Sequence, residues 1–318
     1  KMNNYSWLQQ ALHKFALSSQ FIREASFEVE KLLIKPQQKT DNHVFISGLA
    51  RSGSTIILRA LFESKKFSSL LYKDMPFVLA PNFWSTLSSS STDIIKTERS
   101  HGDGIMVSLE SPEAFEEVFW KTFSDKKNDS NEKFKTYTNL INHKYQKNRY
   151  LSKNNQNIKR IKLINKIFPK SRIFIPFRNP IQQANSLLVQ HKRFIEASKK
   201  DKFVSDYMGL IGHTEFGPKY IPQFKNNIKF ENDFEINHWI EQWILIYKNC
   251  LTDFEDNNSV EFICYEELCR SKNYWSKILE TLGVSYYDFD FKESKAQILL
   301  DLDEDITEQA LNLYSKIF

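Results

Sequence analysis

A short apolar run that ends in a glycine-rich loop constrains this chain more than any other feature. The run His43–Ser47 reads HVFIS, which is typical of a buried strand. It is followed at once by Gly48-Leu-Ala-Arg-Ser-Gly-Ser-Thr, and a helix is expected over Thr55–Ser64. Small residues between a strand and a helix let backbone N–H groups turn inward around an anion at the helix N-terminus. The pattern predicts an α/β protein with a phosphate-binding loop.

One residue of this loop argues against a nucleoside-triphosphate site. The spacing matches the start of G-x-x-x-x-G-K-S/T, but Ser54 stands where the lysine belongs. A phosphate-loop kinase would need that lysine and an acidic magnesium ligand after a later strand. Arg51, three positions before Ser54, can bind a phosphate or a sulfate through two parallel hydrogen bonds. The loop therefore indicates either an anion site that lacks the lysine or an ordinary Gly/Ser turn.

The rest of the chain alternates short strands with helices. Further strands are predicted at Leu70–Tyr72, Tyr150–Ser152, Arg172–Pro176 and Ser259–Cys264. Helices are predicted at Pro112–Phe123, 133–148, Ile158–Ile167, Pro180–Ser198, 235–255 and Tyr274–Leu282. This alternation argues for three layers, with a central parallel sheet covered by helices on both faces. Residues 1–40 are expected to form a helical flank of one domain that spans residues 1–318.

Composition is that of a globular protein and gives no sign of nucleic-acid or membrane binding. The 318 residues are 41% hydrophobic, and the net charge of +5 is a small excess spread along the chain. Three cysteines, Cys250, Cys264 and Cys269, supply neither a disulfide framework nor a paired metal site. No stretch approaches the ~18 apolar residues of a membrane span, and the first residues lack the apolar core of a signal peptide. We expect a cytoplasmic protein.

A second candidate anion-binding segment follows the predicted strand Arg172–Pro176. Arg178-Asn179-Pro180 comes at its end, and Ser186 lies eight positions after Arg178 on the predicted helix. Eight residues are about two helical turns. An arginine at a strand end and a serine on the facing side of the helix can therefore converge on one phosphate. Two such segments, each after a predicted strand, make an anionic ligand a stronger prediction than either segment alone.

Both segments resemble those of sulfotransferases that use 3′-phosphoadenosine-5′-phosphosulfate (PAPS). In that family the 5′-phosphosulfate loop has the form G-x-x-R-S-G-T/S-T, and an R-x-x-x-x-x-x-x-S segment binds the 3′-phosphate. The resemblance implies a P-loop-like fold, PAPS as the co-substrate and no required metal. It implies that the 5′-phosphosulfate is held by Arg51, Ser52, Gly53, Ser54 and Thr55, and the 3′-phosphate by Arg178 and Ser186.

Two further segments resemble the branch that contains the protein-tyrosine sulfotransferases and bacterial carbohydrate sulfotransferases. There a lysine in an N/D-K-x-P/N motif precedes the 3′-phosphate segment, and here Ser152-Lys153-Asn154-Asn155 occupies that place without the proline. The resemblance implies that Lys153, together with Arg51, neutralises the leaving bisphosphate. The Y-E-x-L segment of the family resembles Tyr265-Glu266-Glu267-Leu268, which implies that Tyr265 lies near PAPS. Tyr265 equally suits a buried ring that caps the last strand.

Sulfuryl transfer needs a base for the acceptor proton, and three residues are candidates. In the tyrosine-sulfotransferase branch a catalytic glutamate follows the second strand, and Asp74 falls at the corresponding place. The alternatives are His101, a histidine in a glycine-bordered loop, and Glu98 before it. Asp74 also suits a turn beside Pro76, and His101 suits an ordinary loop residue. Asp74 is the first candidate.

The acceptor is expected to be a hydroxyl or an amine, first of all on a glycan. A chain without a recognisable signal or anchor suits a cytoplasmic bacterial enzyme that acts on sugar precursors. A tyrosyl peptide or a small molecule is the alternative. A phosphate-loop kinase and a non-catalytic nucleotide-binding protein are the competing functions. Ser54 argues against the kinase, and the presence of Arg51, Lys153 and Arg178 together argues against a site that has lost its function.

Overall fold

The structure is a computed structural model that describes most of the chain. It covers residues 6–36, 40–88, 97–98, 106–124, 129–225, 228–293, 295–298 and 300–318. Its strands are β1 (Val44–Ile46), β2 (Phe67–Ser68), β3 (Thr97–Glu98), β4 (Met106–Val107), β5 (Arg149–Lys153), β6 (Arg172–Phe177) and β7 (Val260–Cys264). Five of them form a parallel sheet in the order β2-β5-β1-β6-β7, and β3 pairs with β4 in an antiparallel hairpin.

Helices precede, separate and follow the strands. They are α1 (Trp7–Ser18), α2 (Gln20–Leu33), α3 (Ser54–Glu63), α4 (Pro81–Leu87), α5 (Glu117–Phe123), α6 (Ser130–Lys144), α7 (Ile161–Ile167), α8 (Pro180–Lys200), α9 (Lys202–Ile211), α10 (Ile236–Phe254), α11 (Tyr265–Arg270), α12 (Lys272–Thr281) and α13 (Glu304–Ile317). Two short 3-10 helices are Tyr72–Asp74 and Asn155–Lys159. Among the described residues, no helix is both long and apolar enough to cross a membrane.

The strands are buried on both faces, as their continuous apolar runs predict. In β1, Phe45 packs into one core cluster, and its neighbours Val44 and Ile46 pack into a second cluster on the opposite face. Helices α8 and α10 contribute to the first cluster, while α3 and α12 contribute to the second. The predicted α/β arrangement, a parallel sheet with helices on both sides, is therefore confirmed.

Apolar residues of the N-terminal helical flank belong to the first core cluster of the molecule. Ser6 and Ser19 cap α1 and α2 through their side-chain oxygens, which explains why two helices form rather than one. Leu17 and Phe27 are buried in the first core cluster beside residues of the sheet. The flank packs against other helices, α1 against α9 and α2 against α4, α5 and α6.

The predicted second strand, Leu70–Tyr72, is wrong. The strand that joins the sheet is β2, three residues earlier, and Leu71 instead forms an isolated antiparallel bridge with Pro112. The backbone N–H of Tyr72 donates to the carbonyl of Ser111 (3.2 Å), and that of Glu113 donates to the carbonyl of Leu70 (3.1 Å). The apolar run pairs with a distant loop rather than with β5. This tertiary pairing decides the conformation and is not encoded in the local pattern.

Candidate active site

The glycine-rich loop lies at the carboxyl end of the central strand. Strand β1 is flanked by β5 and β6, and the chain leaves the sheet between them. The N–H of Ser47 donates to the carbonyl of Phe174 (2.9 Å), and that of Asn154 donates to the carbonyl of Ile46 (2.9 Å). Ligands of open α/β sheets bind at the carboxyl edge, where the strand order reverses. The predicted loop therefore occupies the position where this fold forms binding sites.

Two residues of the loop have a left-handed backbone. Gly53 has φ of 88° and precedes α3 without a side-chain cap, so the first N–H groups of the helix point toward an open end. A Cβ at Gly53 would lie 2.1 Å from the ring of Tyr265. Arg51, with φ of 68°, adopts a conformation that is uncommon for a residue other than glycine. The turn therefore requires glycine at position 53, and the ring of Tyr265 packs against it.

Helix α8 holds the loop from the side. The amide of Gln183, which is fully buried, donates to the carbonyls of Leu49 (3.3 Å) and Ala50 (3.0 Å). Its own oxygen accepts a hydrogen bond of 3.1 Å from the indole N–H of Trp243. Sequence analysis missed Gln183. The available signal was its place three residues before Ser186, which puts both side chains on one face of the helix.

Arg51 and Ser186 are brought together although 135 residues separate them. The Nε–H of Arg51 donates to Oγ of Ser186 at 3.0 Å. The sequence resemblance implies that Arg51 holds the 5′-phosphosulfate of PAPS and that Ser186 holds its 3′-phosphate. Their contact in the structure joins the two predicted anion-binding segments at one place.

Arg178 and Tyr265 lie on neighbouring strand ends. Asn179, directly after Arg178, caps α8, and its N–H donates to the carboxylate of Glu266 at 2.8 Å. Burial raises the pKa of Tyr265 well above its usual value, and the positive charge of Arg178 partly opposes this rise. Tyr265 is buried and packs against the loop at Gly53. Its role beside PAPS stays a prediction.

Lys153 ends strand β5 and is held by a rigid turn. It pairs in register with Ile46 of β1, and only 8% of its surface is exposed. The amide of Asn154 donates to Glu117 (2.8 Å), whose carboxylate also receives two hydrogen bonds of 2.7 Å from Arg160. These buried charged groups fix the backbone directly after Lys153.

A second glutamate, directly before helix α5, completes this support. Glu116 accepts hydrogen bonds from the amide of Asn157 (2.6 Å), the hydroxyl of Tyr150 (3.1 Å) and the indole of Trp120 (3.0 Å). The carboxylate is nearly fully buried and thus ties the turn after β5 to the core. Sequence analysis did not identify Glu116 or Glu117, since nothing in the local pattern shows which distant groups they contact.

Asp74 lies in the 3-10 helix after β2 and is fully buried. Its carboxylate receives hydrogen bonds from the N–H of Leu71 (2.7 Å), the ammonium of Lys144 (2.6 Å) and the hydroxyl of Tyr145 (2.8 and 2.9 Å). These partners belong to the turn itself and to the end of α6. Its role as a base stays a prediction.

The other two candidate bases are described less completely. Glu98 belongs to β3, where its backbone pairs with Met106. His101 lies outside the described residues. Within the described part of the chain, no group of three or more His, Cys, Asp or Glu side chains is arranged to hold a metal ion.

Comparison with known proteins identifies a family. The sulfotransferase family model matches residues 43–216, just over half of the chain. This segment contains the glycine-rich loop, Lys153, Arg178 and Ser186. No curated protein sequence matches the chain.

Three solved sulfotransferase structures align with most of the chain. STF9 from Mycobacterium avium has a TM-score of 0.46 and 12% identity and covers 99% of this chain and 79% of its own. STF1 from Mycobacterium tuberculosis H37Rv has a TM-score of 0.48 and 12% identity, with coverage of 96% and 81%. A sulfotransferase from Alicyclobacillus acidocaldarius has a TM-score of 0.43 and 17% identity, with coverage of 87% and 92%. On the family match, the chain belongs to the sulfotransferase family.

Proposed function

We propose that this protein transfers a sulfuryl group from PAPS to a hydroxyl or an amine, first of all on a glycan. The observation that carries the proposal is the contact between Arg51 and Ser186 at the carboxyl edge of the sheet. It joins the loop after β1 to the helix after β6. Two chain segments with separate anion-binding signatures therefore face one ligand, which suits a nucleotide with phosphate groups at both its 3′ and 5′ positions.

The donor is assigned to this edge as follows. The loop residues Arg51, Ser52, Gly53, Ser54 and Thr55 bind the 5′-phosphosulfate through backbone N–H groups and hydroxyls. Arg178 and Ser186 bind the 3′-phosphate, with Tyr265 beside the loop. Gly53 supports this assignment because its left-handed backbone leaves the start of α3 uncapped by a side chain. An anion would satisfy those N–H groups.

The reaction is an in-line displacement at sulfur. The acceptor oxygen or nitrogen forms a bond to sulfur, and the bond from sulfur to the bridging phosphate oxygen breaks. Adenosine 3′,5′-bisphosphate leaves with the electron pair, and the acceptor proton passes to a base. Lys153 and Arg51 stabilise the charge that develops on the leaving phosphate. The hydrogen-bonded turn after Lys153 supports this role, since preorganised charges stabilise a transition state without reorganisation.

Three residues are proposed from the sequence as the base: Asp74 first, then His101 and Glu98. Asp74 is bonded to Lys144 and Tyr145, so proton transfer to it would have to proceed within that network. A positioned base contributes about 10² to 10⁴ in rate. Replacement of the true base should therefore reduce turnover strongly while leaving the affinity for the bisphosphate unchanged.

A carbohydrate acceptor is proposed before a tyrosyl peptide or a small molecule. The turn that follows Lys153 is rich in side-chain amides, at Asn154, Asn155 and Gln156. The amides of Asn154 and Gln156 are bonded within the protein, so the support for a sugar comes from the polar composition of this turn beside the proposed site. An acceptor screen that finds sulfation of a tyrosyl peptide alone would contradict this choice.

Thermal unfolding with adenosine 3′,5′-bisphosphate, ADP and ATP–magnesium in parallel tests the donor assignment. A ligand at a hundred times its dissociation constant adds about 2.7 kcal/mol to stability. We expect stabilisation by the bisphosphate alone, and its loss in Arg178→Ala. Arg172→Ala, at the opposite end of β6, is the matched control and should retain the effect. Stabilisation by ATP–magnesium instead would replace the sulfotransferase proposal with a kinase.

A further inference from the structure

The buried carboxylates of this protein fall into two unequal groups. Eight Asp or Glu residues are buried among the described residues. Seven of them accept hydrogen bonds from other groups of the fold: Glu30, Asp74, Glu113, Glu116, Glu117, Glu241 and Glu266. This is the usual state, because an ionised carboxylate is costly to bury without partners.

Glu215 is the exception. Only 6% of its surface is exposed, yet within the described part of the chain its carboxylate forms neither a hydrogen bond nor an ion pair. Both oxygens of this carboxylate keep some surface that is accessible to solvent. A ligand can therefore reach them. A recessed carboxylate that the fold leaves unused is available to a ligand.

The loop that carries Glu215 packs against the turn directly after Lys153. The hydroxyl of Thr214 accepts a hydrogen bond of 3.1 Å from the amide of Gln156. Eight residues after Glu215, the amide of Gln223 donates to the carbonyl of Asn155 at 3.4 Å. Both anchor points lie within three residues of Lys153, at the carboxyl end of β5. The loop 214–223, here called the acceptor loop, therefore borders the proposed transfer site.

Two neighbouring amide groups share the unused character of Glu215. The side-chain oxygens of Asn155 and Gln223 are buried and have no hydrogen-bond partner among the described residues. Gln223 belongs to the acceptor loop, and its amide donates to the backbone of Asn155. Positive charge is close by, since Lys159 interacts electrostatically with Glu215 and Lys225. Acceptor-rich surroundings suit a molecule with several O–H or N–H groups.

We propose that Glu215, in place of the three candidates from the sequence, is the general base for the acceptor, an inference that rests on the sulfotransferase function proposed above. Its carboxylate takes the proton of the attacking hydroxyl as the new O–S bond forms and the bisphosphate leaves. Glu215 is thus a catalytic residue that contacts the acceptor.

Single-turnover conversion of PAPS to the bisphosphate, with water as the acceptor, tests this role in the full-length chain. We expect Glu215→Gln to lower the rate by about 100-fold or more. Its dissociation constant for the bisphosphate should stay within twofold of the wild-type value. Exogenous formate should restore part of the rate of Glu215→Ala, because it replaces the missing carboxylate. Glu241→Gln, which removes a buried but hydrogen-bonded carboxylate, is the matched control and should keep the wild-type rate per folded molecule.

The outcomes separate this inference from the function on which it rests. If Glu215→Gln reacts within threefold of the wild-type rate, or if Asp74→Asn alone loses the activity, Glu215 is not the base. A wild-type protein that does not bind the bisphosphate refutes the donor assignment instead. A wild-type protein that binds the bisphosphate but forms none from PAPS refutes both.

Discussion

The turn around Asp74 and the acceptor loop around Glu215 each contain a buried carboxylate, but they use it differently. Asp74 receives hydrogen bonds from Leu71, Lys144 and Tyr145, so its charge is neutralised inside the protein. Glu215 receives none within the described residues. Burial alone therefore does not distinguish a structural acid from one that can act on a ligand. The difference lies in whether the fold already satisfies its charge.

Arg160 and Arg51 differ in the contacts that place them. Arg160 is held by two hydrogen bonds of 2.7 Å to the carboxylate of Glu117. The Nε–H of Arg51 donates to the hydroxyl of Ser186. A phosphate or sulfate oxygen that replaced this hydroxyl as the acceptor would form a charge-assisted hydrogen bond with Arg51. We thus expect that substitutions of groups bonded within the fold reduce the free energy of unfolding. Substitutions of groups that contact the ligand should reduce affinity for the bisphosphate or turnover.

Asp74→Asn should have the largest effect on stability. It leaves the ammonium of Lys144 buried without its counter-charge, which costs about 3–5 kcal/mol. Urea unfolding of this variant and of Glu215→Gln measures the contrast directly. Glu215→Gln should change the free energy of unfolding by less than about 0.5 kcal/mol, because no internal partner is lost. Equal losses in the two variants would remove the distinction between the two carboxylates.

His43 represents a third way in which the fold treats an ionisable group, namely by keeping it uncharged. It lies before β1 at the opposite end from the loop, and burial lowers its pKa to about 4, assisted by the charge of Arg149. Its Nδ1 accepts a hydrogen bond of 3.1 Å from the backbone N–H of Tyr150, which requires the neutral ring.

Acid should therefore destabilise the protein partly through His43. Between about pH 6.5 and pH 4 the unfolded histidine binds a proton and the folded one does not, so stability falls as the pH falls through this range. The contribution of His43 is about 3 kcal/mol, at 1.36 kcal/mol per unit of pKa difference. His43→Gln keeps an acceptor for Tyr150 but does not titrate. Urea unfolding at pH 7 and pH 4.5 should show a smaller loss in this variant, and an equal loss would exclude His43 as a cause.

Local sequence predicted the parts of the fold that depend on neighbouring residues. The strand predicted at Arg172–Pro176 is observed at Arg172–Phe177, and that at Ser259–Cys264 is observed at Val260–Cys264. Both are continuous apolar runs, as expected for strands buried on two faces. The run Leu70–Tyr72 has the same character but pairs with residues near Pro112. Which partner a short apolar run finds is a tertiary property, so the sequence pattern alone misplaced β2.

The candidate site shows the same limit. The loop Gly48–Thr55 was recognised from its spacing, because its conformation follows from residues next to one another. The contact of Arg51 with Ser186 and that of Asp74 with Lys144 join residues 135 and 70 positions apart. Glu215 was not predicted as a base, because what distinguishes it is that its carboxylate forms no hydrogen bond within the described residues. Whether a carboxylate is hydrogen-bonded depends on the three-dimensional positions of its neighbours, which the local sequence does not give.

Ser186→Ala should have the smallest effect, but it tests most directly whether the two anion-binding segments act on one ligand. Loss of a single hydroxyl hydrogen bond costs about 1 kcal/mol, or about a fivefold weaker affinity for the bisphosphate. Ser198→Ala is the matched control on the same helix, since that hydroxyl bonds only to the carbonyl of Ile195 among the described contacts (2.7 Å). Isothermal titration of both variants with the bisphosphate measures the difference.

A double-mutant cycle that combines Ser186→Ala with Arg51→Ala tests whether the two side chains act together on the bisphosphate. Because the Nε–H of Arg51 contacts Oγ of Ser186, the two side chains should be coupled, and their effects on affinity should differ from additivity by about 0.5 kcal/mol or more. Additive effects would indicate that the two residues bind independent parts of the ligand. The contact would then be a feature of the ligand-free protein only, and it would not mark a shared anion site.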